Sequence, residues 1–131
     1  MKKLLFFTIA LSLLLVSCNS SSENIKVLPP TDFNKAVTLE DNSILQLIDV
    51  RTAEEFEVGH LKDSQNICVT EEDFEEKVKN LNKDEPVYVY CKKGGRSARA
   101  AKILRDLGFT KVYDLEGGIT SWTDDGLEVV E

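Results

Sequence analysis

The chain has 131 residues, with 23 acidic and 16 basic side chains and a formal net charge of −7. This length predicts a single domain, and the negative charge argues against nucleic acid as a partner and against electrostatic attachment to anionic lipid. With one histidine and no Cys-x-x-Cys pair in the sequence, no metal site is expected.

The N-terminal segment predicts export. Met1-Lys2-Lys3 is a charged start, and residues 4–16 form a mainly apolar stretch of 13 residues, which is too short for a membrane-spanning helix of about 20 residues. This pattern is typical of a signal peptide, and Leu15-Val16-Ser17-Cys18 resembles a bacterial lipobox. We therefore expect a lipoprotein signal peptide over residues 1–17, lipidation of Cys18, a polar linker over residues 18–24 and the domain over residues 25–131.

Lipidation at Cys18 predicts where the domain resides. The mature protein is expected to be exported and anchored by lipid to a bacterial membrane, facing the periplasm or the cell surface, without spanning the bilayer. The alternative is a plain signal peptide followed by an incidental cysteine. The mass of the mature N-terminal peptide decides between them, since an unmodified Cys18 or a chain that still begins at Met1 would contradict lipidation.

The rest of the chain alternates apolar runs with amphipathic segments. The predicted strands are Ile25–Leu28, Ile44–Val50, Gln65–Val69, Pro86–Tyr90 and Lys111–Leu115. Helices are predicted from Thr31 or Asp32, from the capping-box segment Thr52–Glu55, from Thr70, after the loop that ends at Ser97, and from Ile119. This alternation predicts an α/β domain with a mainly parallel sheet of about five strands and helices on both faces.

A cysteine lies where the fourth strand meets a helix. The apolar run Pro86–Tyr90 leads directly into Cys91 and a glycine-containing loop. The helical pattern that follows is amphipathic, with apolar residues at Ala100, Ile103, Leu104 and Leu107 and with Gly108 as a C-terminal cap. Because ligands bind at the carboxyl ends of strands in parallel sheets, Cys91 occupies a position typical of a functional site.

This position suits an anionic sulfur. The first amides of a helix lack internal partners and attract anions, and successive amides in a glycine turn can form a concave anion site. Lys92, Lys93 and Arg96 add positive charge that steers small anions to the loop. We therefore expect a solvent-open thiolate nucleophile at Cys91 that can hold a second sulfur atom.

Three motifs together resemble the rhodanese sulfurtransferases. Cys91-x-x-Gly94-x-Arg96-Ser97 after a buried strand resembles the active-site loop of that family. The upstream motif of the family is similar to Leu47-Ile48-Asp49-Val50-Arg51, followed by Glu54-Glu55-Phe56 and Gly59-His60-Leu61. Its closing motif is similar to Leu115-Glu116-Gly117-Gly118-Ile119 with Trp122. These motifs cover nearly all of residues 25–131, and the resemblance implies a single rhodanese-like domain.

The resemblance also implies an activity. The Cys91 thiolate would take the outer sulfur from a donor such as thiosulfate, form a persulfide and pass the sulfur to a thiophilic acceptor, cyanide or a thiol. The residues expected to bind the donor and the persulfide are Lys92, Lys93, Gly94, Gly95, Arg96 and Ser97, with Arg96 alternatively bracing the loop. No metal or organic cofactor is needed, the partners are these small molecules, and a monomer is favoured.

Other polar and thiol side chains have structural interpretations. Asp49 and Arg51 end a strand and are expected to hold strand ends and loops in place, and His60 is expected to make structural hydrogen bonds. Cys68 lies in a predicted buried strand, where a cysteine behaves as a small apolar residue. The alternative is a Cys68–Cys91 disulfide.

The sequence leaves two other functions open. Phosphatases and arsenate reductases of related fold place an arginine after a longer loop, whereas Arg96 follows Cys91 by only five positions, so the shorter loop suits a single sulfur atom. The second is a persulfide carrier or partner-binding module whose donor and acceptor are proteins.

Overall fold

A computed structural model describes residues 24–131 of the chain. The predicted signal peptide, the lipidation site Cys18 and all but the last residue of the linker lie outside the described residues. The elements in chain order are β1 (Ile25–Leu28), α1 (Pro30–Leu39), β2 (Gln46–Asp49), α2 (Ala53–Val58), β3 (Gln65–Asn66), α3 (Phe74–Val78), β4 (Val87–Tyr90), α4 (Gly95–Asp106), β5 (Val112–Leu115) and α5 (Gly118–Asp124). Within residues 24–131, no helix is long and apolar enough to cross a bilayer.

The five strands form one parallel sheet in the order β1-β5-β4-β2-β3. The central strands β2 and β4 are buried along their whole length, as expected for strands covered on both faces. The predicted α/β domain with a parallel sheet of five strands is confirmed.

Alternation along the strands divides the core into two layers. One layer contains Ile48, Val89 and Cys91 packed with residues of α3 and α4. The other contains Leu47 and Tyr88 packed with Phe33 of α1 and Trp122 of α5. The prediction of helices on both faces of the sheet is therefore confirmed.

Several element boundaries differ from the prediction. Helix α1 begins at Pro30, with Pro29 at the N-cap and no side-chain cap, instead of being capped by Thr31 or Asp32, because proline is compatible with the first helical position. Strand β3 has only two residues, although the N–H groups of Ile67 and Val69 still donate to the carbonyls of Asp49 and Val50. Helix α3 begins at Phe74, so the segment from Thr70 forms turns first.

Candidate active site

Cys91 follows the last residue of β4 and is almost completely buried, at 1% exposure. The N–H of Gly94 donates to Sγ at 3.0 Å, and Sγ lies 3.4 Å from Oγ of Ser97. The expectation of a solvent-open sulfur is therefore wrong, because the loop turns back over the end of β4 and places a backbone amide and a hydroxyl against the thiol. Access to the sulfur depends on the loop.

The loop owes its shape to Gly94. This residue is the N-cap of α4 and has φ 115° and ψ −15°, a left-handed conformation that favours glycine. Its carbonyl accepts from the N–H of Ala98 at 3.1 Å and from Oγ of Ser97 at 3.2 Å. The 12-residue helix α4 thus begins beside the sulfur, where its unpaired amides and dipole favour negative charge.

Helix α5 holds the other side of the loop. The N–H of Ile119 donates to the carbonyl of Cys91 at 2.9 Å, and the N–H of Thr120 donates to the carbonyl of Lys92 at 3.0 Å. Gly118 has φ 63°, and a Cβ at this position would lie 2.5 Å from the carbonyl oxygen of Cys91. Only glycine therefore allows α5 to approach the loop this closely.

Arg96 braces the loop through an ion pair with α2. Its Nη1 and Nη2 donate to Oε1 and Oε2 of Glu55 at 2.7 and 3.0 Å, and both side chains are 30% exposed. Glu55 also completes the predicted capping box with Thr52. Of the two roles considered for Arg96, donor binding or bracing, the structure shows the bracing contact.

The same pair makes stability depend on pH. Hydrogen bonds from Arg96 lower the pKa of Glu55 from 4.5 to about 2. Because the folded pKa is the lower one, the pair stabilises the fold above pH 4.5, and this stabilisation is lost as pH falls toward 2. We expect Glu55→Gln to be less stable than wild type at neutral pH by about 1 kcal/mol, with the difference closing in that acidic window.

Urea unfolding at a series of pH values from neutral into the acidic window measures this difference. Glu54→Gln is the matched control, because Glu54 lies beside Glu55 in the first turn of α2 and makes no ion pair among the described residues. A Glu55→Gln difference that stays constant as pH falls would contradict the assignment.

The other predicted support residues hold the ends of the strands. Asp49 is fully buried and pairs with Arg51, Oδ2 to Nη2, at 2.7 Å. Arg51 also donates to the carbonyl of Gly59 at 2.7 Å, and His60 stacks on Phe56 and contacts its carbonyl through Nδ1 at 2.9 Å. Asp49 and Arg51 link the end of β2 to the turn after α2, and His60 ties this turn to α2. Within residues 24–131, none of these three side chains forms a hydrogen bond with Cys91.

Asp114 is a buried acid next to the site that the sequence interpretation missed. It is 4% exposed, and its Oδ1 has no hydrogen-bond partner among the described residues. Burial raises the pKa of Asp114 to about 6, and a hydrogen bond with Ser97 opposes the rise. The available signal was an acid inside the apolar strand β5, since carboxylates are rarely buried without a partner.

The remaining loop residues and the second thiol complete the surroundings. Lys92 and Lys93 are exposed, and Lys92 lines a cleft of about 410 Å³ together with Val58, Ile119 and Val129.

Cys68 is buried with Sγ 3.1 Å from Oγ1 of Thr70. Both Cys68 and Cys91 are free thiols, so the alternative disulfide is not formed.

Comparison with known proteins adds a family match. The family model of the rhodanese-like domain matches residues 31–125. A rhodanese-related protein from Thermoplasma volcanium superposes with a TM-score of 0.68 and 32% identity, over 80% of this chain and 97% of that one. The family match thus covers the loop and the strands β2 to β5.

Curated relatives agree with this match. YqhL, an uncharacterized protein of Bacillus subtilis, is 43% identical over 59% of this chain and 60% of its own length. The putative sulfur carrier protein YrkF of the same organism is 32% identical over 79% of this chain and 55% of its own length. The thiosulfate sulfurtransferase GlpE of Shewanella oneidensis is 30% identical over 68% of this chain and 86% of its own length. The chain thus spans less than two thirds of the first two relatives.

Proposed function

Because this chain belongs to the rhodanese-like domain family, we propose that it is a sulfurtransferase that carries a sulfane sulfur on Cys91. The observation that supports this most directly is the Gly94 N–H, which donates to Sγ at 3.0 Å in a loop where the thiol is free. A hydrogen bond from an amide stabilises a thiolate more than a thiol. The same donor would stabilise the terminal sulfur of a persulfide.

The proposed reaction has two steps. The Cys91 thiolate attacks the outer sulfur of thiosulfate, an S–S bond forms on the protein, and sulfite leaves with the electrons of the broken bond. An acceptor such as cyanide then attacks the terminal sulfur, leaves as thiocyanate and regenerates the thiolate. Such covalent transfer gives ping-pong kinetics.

The surroundings of the loop suggest how the small molecules bind. Arg96 is held by Glu55, so the exposed Lys92 and Lys93 are the loop cations that remain to bind the oxygens of an anionic donor. The cleft beside Lys92 has apolar walls formed by Val58, Ile119 and Val129. These walls favour an organic thiol over cyanide as the acceptor, since they can contact its carbon atoms.

The test is the intact mass of the full protein after treatment with thiosulfate. We expect a gain equal to one sulfur atom, and loss of this gain when cyanide or a thiol is added, with thiocyanate formed in the cyanide arm. A protein that gains no sulfur from thiosulfate or from an organic persulfide would overturn the proposal.

A persulfide carrier is the second candidate, because one relative is named a putative sulfur carrier protein and Cys91 is only 1% exposed. In that case the sulfur would load but turn over slowly with every small acceptor.

The phosphatase alternative has less support, because the guanidinium that would bind a phosphate is occupied by Glu55. Hydrolysis of an aryl phosphate without sulfur loading would reverse this ranking.

A further inference from the structure

The segment that follows α5, residues 127–130 and termed the strap, runs back to the turn after α2. The N–H of Val130 donates to the carbonyl of His60, and the N–H of His60 donates to the carbonyl of Val130, both at 2.8 Å. Nε1 of Trp122 donates to the carbonyl of Glu128 at 3.0 Å. The strap is therefore held by the turn after α2 and by α5.

Val129 is the strap residue that lines the cleft next to the Cys91 loop. The cleft has a volume of about 410 Å³, and Val58 and Ile119 line it as well. The Val129 side chain packs on Gly59, since a Cβ added to that glycine would lie 3.5 Å from Cγ2 of Val129. Val129 is 39% exposed and Val58 is 79% exposed. The two valines thus leave apolar surface open to water in the cleft, and a ligand that covers this surface gains free energy from its burial.

The charge that remains uncompensated in this cleft is positive. Arg51 and Glu55 also line the cleft, but each is neutralised by an ion pair within the fold. Lys92 is exposed and forms no ion pair within residues 24–131. Its carbonyl accepts from the N–H of Thr120 at 3.0 Å, which fixes the backbone of Lys92 beside α5. Apolar walls together with an unpaired ammonium suit a ligand that has a carbon chain and an anionic end.

We propose that Val129 and Lys92 are specificity-determining residues that select the sulfur acceptor, an organic thiol with an aliphatic chain and a carboxylate end. The carbon chain contacts Val129, and the carboxylate pairs with Lys92. This inference rests on the proposed function, because such an acceptor reacts with the persulfide of Cys91.

The transfer to this acceptor balances without an oxidant. The thiolate of the acceptor attacks the terminal sulfur of the Cys91 persulfide and forms a new S–S bond. The S–S bond to Cys91 breaks, its electron pair remains on the Cys91 thiolate, and the acceptor leaves as an organic persulfide. The N–H of Gly94, which donates to Sγ at 3.0 Å, is in place to stabilise the thiolate that is released.

The test measures the loss of sulfur from loaded protein. The full protein is first loaded to completion with thiosulfate and freed of donor, so that an effect of Lys92 on donor binding does not enter. Three thiols are then compared: mercaptopropionate, mercaptohexanoate, which has a longer chain, and mercaptopropionamide, which has no charge. Each preference is a ratio of second-order rate constants, normalised to the reaction of the same thiols with a small organic persulfide in solution. In wild type we expect the longer chain to be preferred over the shorter one, and the carboxylate over the amide.

Substitutions at the two residues should change separate preferences. Val129→Ser should lower the preference for the longer chain by about tenfold, because a hydroxyl replaces apolar contact surface. Lys92→Gln should lower the preference for the carboxylate by about threefold, because an exposed ion pair is lost. Val130→Pro lacks the N–H that donates to His60 and should act as Val129→Ser does. A chain-length preference that is the same in wild type and Val129→Ser would overturn the inference, as would wild-type protein that prefers the amide or the shorter thiol.

Strand β1 supplies matched controls for both substitutions. Val27 is 58% exposed and Lys26 is exposed, and neither lines the cleft. Val27→Ser and Lys26→Gln should leave both preferences at their wild-type values. Val129→Ile keeps an apolar wall and should retain the chain-length preference. A loss in Val129→Ile equal to that in Val129→Ser would contradict the apolar contact.

Failure of this inference can be told from failure of the proposed function. Protein that loads sulfur and forms thiocyanate with cyanide, but shows neither preference or reacts with none of the three thiols, contradicts the selection of the acceptor alone. Protein that never gains sulfur contradicts the sulfurtransferase, and the assignment of the acceptor falls with it.

Discussion

Replacing Cys91 with serine is expected to abolish sulfur loading from thiosulfate. The hydroxyl is nearly isosteric with the thiol and can keep the contact with the Gly94 N–H, so the fold should survive. A serine hydroxyl does not form a thiolate and cannot hold the sulfane sulfur, so turnover should fall by roughly three orders of magnitude or more. Intact mass and release of sulfite measure the two parts of this result.

Cys68→Ser is the matched control for this experiment. Cys68 is also buried and free, but its Sγ contacts Oγ1 of Thr70 and it lies outside the loop around Cys91. This variant should gain one sulfur atom at the wild-type rate. A sulfur adduct that persists on Cys91→Ser, or that disappears in Cys68→Ser, would show that Cys91 is not the thiol that carries the sulfur.

Replacing Gly118 with alanine is expected to damage both stability and activity. The added Cβ would lie 2.5 Å from the carbonyl oxygen of Cys91, at a φ of 63°. Because the obstructing atoms belong to the backbone, α5 and the loop must separate, and the amides of Ile119 and Thr120 then lose their acceptors. We expect a loss of ~3 kcal/mol or more from clash and left-handed strain together, with sulfur loading strongly reduced in the molecules that remain folded.

Gly126→Ala isolates the contribution of backbone strain. Gly126 also has a positive φ, 79°, but a Cβ there meets nothing within 4 Å. This variant should lose about 1 kcal/mol and load sulfur normally. Urea unfolding and intact mass compare the two variants, and equal effects at both positions would show that the approach of α5 to the loop is unimportant.

Local signals in the sequence were sufficient for most of the fold. The apolar runs that became β1, β2, β4 and β5 were recognised, because each is a short run rich in β-branched or aromatic residues and bounded by turn residues. The capping box at Thr52 was recognised because its two hydrogen bonds join residues three positions apart. The start of α1 was misjudged, because the exact end of a helix depends on how the flanking residues pack. The length of β3 was misjudged, because it depends on how far this edge strand pairs with β2.

The partners within the site were not predictable from local patterns. Arg96 and Glu55 are separated by 41 positions, and either could equally have been a solvated charge. The bonds from α5 to the carbonyls of Cys91 and Lys92 also join distant segments. Asp114 carried a visible signal, a carboxyl in an apolar strand, but no pattern relates it to Ser97.

The amino-acid sequence by itself determined the class of fold, the order of its elements and the position of the Cys91 thiol at the end of a buried strand, because each depends on patterns among residues close along the chain. Only the tertiary structure decided that this thiol is covered, that its loop is braced by α2 and α5, and that a buried carboxyl shares its layer. These features arise where strand ends from different parts of the chain meet at one edge of the sheet. Their energies depend on distances and burial, which residue types and spacing do not specify.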